Sequence, residues 1–204
     1  MTAGRVLLLR HGTTDWNNDG RFQGHADVPL NAEGLALAER TALVLADQRP
    51  GRVISSDLAR ARQTAAPVAA ALGLAVEIDP RLREVDVGSW AGLDMATVGD
   101  LVPDFWSALR EGRDFRRSPE GETATESGER AAAALLEHAA QASPEEVLLA
   151  VGHGLSLRIA ALLLMGLDYS HARLFGGLAN CGWIDLEPGE DFWRLRGYNR
   201  LAVS

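Results

Sequence analysis

The sequence predicts an α/β fold: a three-layer arrangement with a mostly parallel sheet, helices on both faces and a small capping insertion. Three observations predict it. Residues 5–9 and 147–151 are short apolar runs, too short for typical helices, and they read as strands buried on both faces. Each run leads into a His–Gly step, His11-Gly12 and His153-Gly154. Between and after these runs lie longer stretches with helical spacing of apolar residues, which places helices around the strands.

In chain order, residues 21–30 hold Gly24 and Pro29 and read as a loop. Asn31 is an N-cap candidate for a helix to Asp47, with Leu35, Ala38, Ala42 and Leu45 on its inner face. Residues 52–55 are a second strand. Asp57 is expected to cap a helix to Leu72, kinked at Pro67. Residues 74–78 are a third strand. Residues 94–122 are the least regular part, helical over 95–110 with a break near Pro103. Thr123-Ala124-Thr125-Glu126 fits a capping box opening an alanine-rich helix to about Ala142. After His153, residues 155–165 are apolar nearly all round and read as a buried helix. Residues 181–186 and 192–198 flank a turn-rich loop and read as a hairpin. The expected organisation is one domain, 1–204, with a cap-like insertion at about 94–122.

Composition narrows the function. A net charge of −8 disfavours nonspecific nucleic-acid binding, which needs a basic face. The single cysteine, Cys181, rules out an internal disulfide and a cysteine-rich zinc site, and reads as a packing residue. The first apolar run is too short for a signal peptide, and no run approaches a membrane span. A cytoplasmic protein with no membrane partner, able to form a homodimer, is the expectation.

The candidate site follows from the two strand–His–Gly units. A lone histidine in a turn is more often structural. Two units at the carboxyl ends of parallel strands share the edge where open α/β sheets bind ligands, so the histidines can converge. Arg10 adds a cation, and Gly12 allows close backbone approach. Arg60 falls in the first turn of its helix, where the macrodipole disfavours a cation; an anion at the helix start would explain it. Two arginines and two histidines suit a dianion and make a poor metal site, so no metal is expected. Neither His25 nor His171 has a partner at ligand spacing, and His138 reads as a surface or core-edge residue.

The joint pattern resembles the histidine phosphatase superfamily, which includes the cofactor-dependent phosphoglycerate mutases. The resemblance rests on Arg10-His11-Gly12, residues 55–65, Leu82-Arg83-Glu84 with Gly88 and Trp90-Ala91-Gly92-Leu93, residues 119–123, and Gly152-His153-Gly154. It extends from Leu7 to about Ala179. It implies a phosphohistidine on His11, with Glu84 as proton donor and Arg10, Arg60 and His153 holding phosphate oxygens. Asn17 and Gln23 are implied accessory donors beside the backbone of Gly24 and Gly154, with no cofactor. Thr13 departs from the pattern, where many members carry Glu.

Beyond the phosphate, Trp90 is expected to desolvate Glu84 and, with Phe22, to form an apolar wall. Arg110, Arg113, Arg116 and Arg117 cluster in an acidic chain; Arg113 and Arg116 are taken as contacts for an anionic substrate, against the plainer reading of a solvated loop. Mutases of this superfamily are longer, so a phosphatase acting on a small phosphorylated sugar or sugar acid is preferred. Residues 175–180 with Trp183 and Trp193 resemble phosphatases of glucosyl-3-phosphoglycerate. The alternatives are a phosphoglycerate mutase and, from another class, a phosphohistidine-dependent regulatory domain.

Overall fold

The computed structural model describes residues 2–202. Its centre is a six-stranded sheet in the order β3-β2-β4-β1-β5-β6. The strands are β1 (Arg5–Arg10), β2 (Pro50–Ser55), β3 (Val76–Ile78), β4 (Val147–Gly152), β5 (Trp183–Pro188) and β6 (Trp193–Arg200). The four strands from β3 to β1 are mutually parallel; β5 and β6 form an antiparallel hairpin added beside β1.

Alternation along the central strands separates two apolar layers. Val6, Leu8, Leu148 and Ala150 face helices α6 (Ala124–Ala140) and α7 (Gly154–Leu164). Leu7, Leu9, Leu149 and Val151 face α2 (Ala32–Ala46) and α3 (Ala59–Leu72). Both faces being covered, the central strands carry the continuous apolar runs visible in the sequence. A four-residue helix, α1 (Asp15–Asn18), follows β1. Helices α4 (Met95–Leu101) and α5 (Phe105–Glu111) flank Pro103 and share a small aromatic core of Trp90 and Phe105 with Phe22, Phe115 and Leu155. The capping box at Thr123 and Glu126 is formed.

Two local expectations are corrected. Leu35 is 44% exposed, because the inner stripe of α2 runs through Gly34, Ala38, Ala42 and Leu45. Gly34 lies so close to the β1–α1 loop that a Cβ there would stand 2.1 Å from the Thr13 carbonyl oxygen, which turns Leu35 outward. Asp57 does not cap α3: both of its carboxylate oxygens accept from Arg83, and the N-cap residue is Leu58. Instead the Asp27 carboxylate accepts from the Ala59 N–H, so the anion at the start of α3 comes from the 21–30 loop. Helix α3 continues through Pro67 to Leu72.

Among the described residues, no helix is long and apolar enough to cross a membrane.

Candidate active site

Strand register brings the histidines together. β1 and β4 are neighbours, with Arg10 opposite Gly152, so the next residue on each strand is a histidine. Their rings meet edge to face, 5.2 Å between centroids. Gly12 follows where chain crowding leaves no room for a side chain: a Cβ there would sit 2.7 Å from the Gly34 carbonyl oxygen.

His11 is buried, and its Nδ1 lies 2.7 Å from the Gly12 carbonyl. A carbonyl only accepts, so Nδ1 carries the proton and Nε2 carries the lone pair. Burial first, then the Arg60 and Arg10 charges, push the His11 pKa well below the usual histidine range. The ring is therefore neutral at physiological pH. The Asn180 side chain and the Cys181 N–H tie down the backbone carbonyl of His11 from the 180–181 turn.

Arg60 is fully buried and donates Nε to His153 Nδ1 at 3.2 Å, with terminal nitrogens on the carbonyls of Ala26 and Gly24 at 2.7 and 2.8 Å. Gly24 has φ +49°, and a Cβ there would meet the Val87 backbone nitrogen at 2.9 Å, so glycine lets this loop close over the guanidinium. Burial lowers the Arg60 pKa to about 10, which leaves it cationic at neutrality. Arg10 donates to the Leu178 carbonyl, and its Nε is buried without a partner.

Glu84 accepts backbone N–H groups from Val85, Leu155 and Ser156 at 2.9–3.1 Å, the latter two from the first turn of α7. The site thus places His11, Arg10, Arg60 and Glu84 around one cleft of about 220 Å³, with Asn17, Gln23 and Gly24 on its wall. The Asn17 Oδ1 accepts from Thr14 and Asn180, while the Gln23 Oε1 is buried and unpartnered. No group of three or more His, Cys, Asp or Glu side chains among the described residues could hold a metal ion.

The structure corrects four expectations. His153 does not line the cleft: Nδ1 accepts from Arg60 and Nε2 lies 3.0 Å from the Ser56 hydroxyl, so both ring nitrogens have protein partners and the ring positions Arg60. Trp90 does not line the cleft either, and packs against Phe22, Phe105 and Phe115 because three aromatic neighbours offer it a dry core. Gly154 borders a neighbouring chamber rather than the cleft itself. Arg113 and Arg116 are exposed and taken by Glu111 and Glu126.

The arginine that does line the cleft is Arg117, buried, stacked over Phe115 at 4.4 Å and 3.5 Å from Asp114. It stood in the sequence cluster, yet only the folding of residues 94–122 selects it over its neighbours. Asn180 lies in the 175–180 stretch that carries the resemblance, yet the sequence assigned it no role at the site. The buried Cys181 thiol is pushed up to about 11 by desolvation, in keeping with a packing role.

Residues 6–201 match the model of the histidine phosphatase superfamily (branch 1). The chain is 34% identical to a glucosyl-3-phosphoglycerate phosphatase of Mycobacterium tuberculosis, covering 99% of this chain and 97% of that protein. It is 37% identical to a probable phosphoglycerate mutase of Yersinia pestis, over 95% and 89%. A solved mycobacterial glucosyl-3-phosphoglycerate phosphatase with VO3 superposes with a TM-score of 0.88 at 33% identity, over 96% of this chain and 98% of that one.

Proposed function

The chain belongs to the histidine phosphatase superfamily, and we propose that it hydrolyses a phosphorylated sugar acid through a phosphohistidine on His11. The observation that carries this reading is the neutral His11 ring. Its Nδ1 proton is fixed on the Gly12 carbonyl, and its Nε2 has no protein partner in a cleft lined by Arg10, Arg21, Arg60 and Arg117.

Nε2 attacks phosphorus in line; the Nε2–P bond forms as the bond to the ester oxygen breaks. Glu84 delivers a proton to the leaving oxygen. Arg10 and Arg60 bind the non-bridging oxygens by charge-assisted hydrogen bonds, and the amides of Asn17 and Gln23 supplement them. Water then attacks the phosphohistidine while the Glu84 carboxylate takes its proton. Phosphate leaves and His11 is again neutral. His153 acts one step back, holding the Arg60 guanidinium. Arg117 and Phe22 face the substrate beyond its phosphate.

The test is a panel of phosphate monoesters, with sugar acid phosphates beside neutral sugar phosphates and a mutase assay in parallel. Release of inorganic phosphate, fastest for the sugar acid esters, is expected. The rate should be indifferent to chelator and strongly inhibited by vanadate, a mimic of five-coordinate phosphorus. The likeness to a probable mutase favours a second reading, transfer back to the substrate. Isomerised ester without phosphate release would establish it.

A further inference from the structure

We propose that a chamber adjoining the phosphate cleft, bounded by Arg158, is a second leaving-group subsite that binds a carboxylate of the substrate. This inference rests on the phosphatase reading above and adds the residue that sets its preference. The chamber is about 300 Å³, and it shares Arg10, Glu84 and Leu155 with the catalytic cleft. The proposed proton donor therefore borders both spaces, and a leaving group released beside Glu84 can extend into either.

Arg158 lies one turn along α7 from Gly154, about 6 Å along the axis, on the same helix face. Helical side chains lean toward the N-terminus, and Arg158 borders the same chamber as Glu84, which is held at that end of α7. The guanidinium makes one long hydrogen bond, 3.4 Å, to the Phe175 carbonyl, and lies beside the Tyr198 phenol. Its Nε is buried and has no partner.

Charge pairing singles this residue out. Among the described residues, the buried or half-buried arginines 5, 52, 81, 83, 117 and 130 each have a carboxylate within 4.0 Å. The three without one are Arg10, Arg60 and Arg158. Two of these line the phosphate cleft, and the third borders the chamber joined to it. Arg60 is fully buried and Arg158 half-buried with an inaccessible Nε; withdrawing a cation from water without a counter-ion is costly, and a ligand that supplies the anion offsets it. Glu84, the chamber's one carboxylate, is already held by backbone N–H groups. Arg117, which lines the phosphate cleft and not the chamber, has Asp114 beside it. A carboxylate-bearing leaving group thus finds its open bidentate partner in Arg158. The lining includes Gly177, where a Cβ would meet nothing within 4 Å, so no side chain crowds the chamber at that residue.

The experiment compares two esters matched but for the acid group, 3-phosphoglycerate and glycerol 3-phosphate. The ratio of their kcat/KM values should fall about 10–100-fold in Arg158→Leu, the size of a lost charge-assisted hydrogen bond, mainly through KM. Arg158→Lys should restore part of the ratio. Gly177→Leu, which narrows the chamber without touching Arg158, should raise KM for 3-phosphoglycerate. An unchanged ratio in Arg158→Leu overturns the proposal, and so does an equal loss on both esters, which is what a purely structural arginine would give. Calorimetric binding of the same pair to His11→Ala, with and without Arg158→Leu, reads the subsite without turnover. A wild-type protein inert to every ester would sink the phosphatase reading, and the binding difference would still decide the role of Arg158.

Discussion

The floor of the cleft and the surface of residues 110–117 are both rich in arginine, yet the two regions treat the charge in opposite ways. On the floor, Arg10 and Arg60 have no carboxylate within 4.0 Å among the described residues and are anchored by carbonyls and a histidine ring. On that surface, Arg113 and Arg116 are exposed and satisfied by Glu111 and Glu126. Burial decides the difference. An exposed ion pair is worth little and binds nothing else, whereas a desolvated guanidinium fixed by neutral acceptors keeps its charge for a ligand. A cluster of arginines in sequence is therefore a weaker sign of anion binding than one buried arginine without a counter-ion.

The comparison breaks most visibly at the floor. His11→Ala should reduce turnover to background and abolish acid-labile phosphate on the protein, checked by a rapid quench without acid and mass spectrometry. Label found on His153 would reverse the roles assigned to the two rings. Next in size, Glu84→Gln should lower turnover of alkyl phosphates by about 10²–10⁴-fold. The loss in the phosphorylation step should be smaller for aryl phosphates, whose leaving groups need less protonation. Equal losses would mean that Glu84 only ties down the start of α7.

The rim gives smaller effects that sharpen the contrast. Arg117→Ala should raise KM for a sugar acid phosphate about tenfold, the scale of one hydrogen bond to a charged group. The double replacement Arg113→Ala with Arg116→Ala should leave kcat/KM within about twofold, because both side chains are spent on surface ion pairs. A large loss in the double variant with none in Arg117→Ala would invert the assignment.

The two buried histidines also couple the floor to acid stability. Both have pKa values depressed by burial and by the arginines. The unfolded chain takes up protons near pH 6.5 that the native state refuses, so their contribution is complete above that pH and is lost as pH falls below it. Each histidine adds up to about 1.4 kcal/mol per pH unit to the slope. Urea unfolding of phosphate-free protein between pH 7 and 5 should show a shallower slope in His153→Asn than in the wild type. An identical slope would mean that His153 is protonated in the native state.

The sequence alone determined the layers and the phosphate end of the site. Apolar runs at 5–9 and 147–151 followed by His–Gly are local patterns, and a parallel α/β sheet leaves few places for such strand ends to meet. The resemblance carried by the motifs around His11, Arg60, Glu84 and His153 led to the superfamily that the comparisons bear out. Which groups are left without partners is settled by packing between distant segments. That His153 spends both nitrogens on Arg60 and Ser56, that Trp90 turns into the aromatic cluster with Phe105, and that Asp27 rather than Asp57 meets the start of α3 depend on residues distant in sequence. The same holds for Arg117 over Arg113 and Arg116, and for Arg158, one arginine among many until no carboxylate among the described residues proves to lie within 4.0 Å of it. Local periodicity sets which side of an element is buried; the availability of a charge is a property of everything packed around it, and no single stretch of sequence carries it.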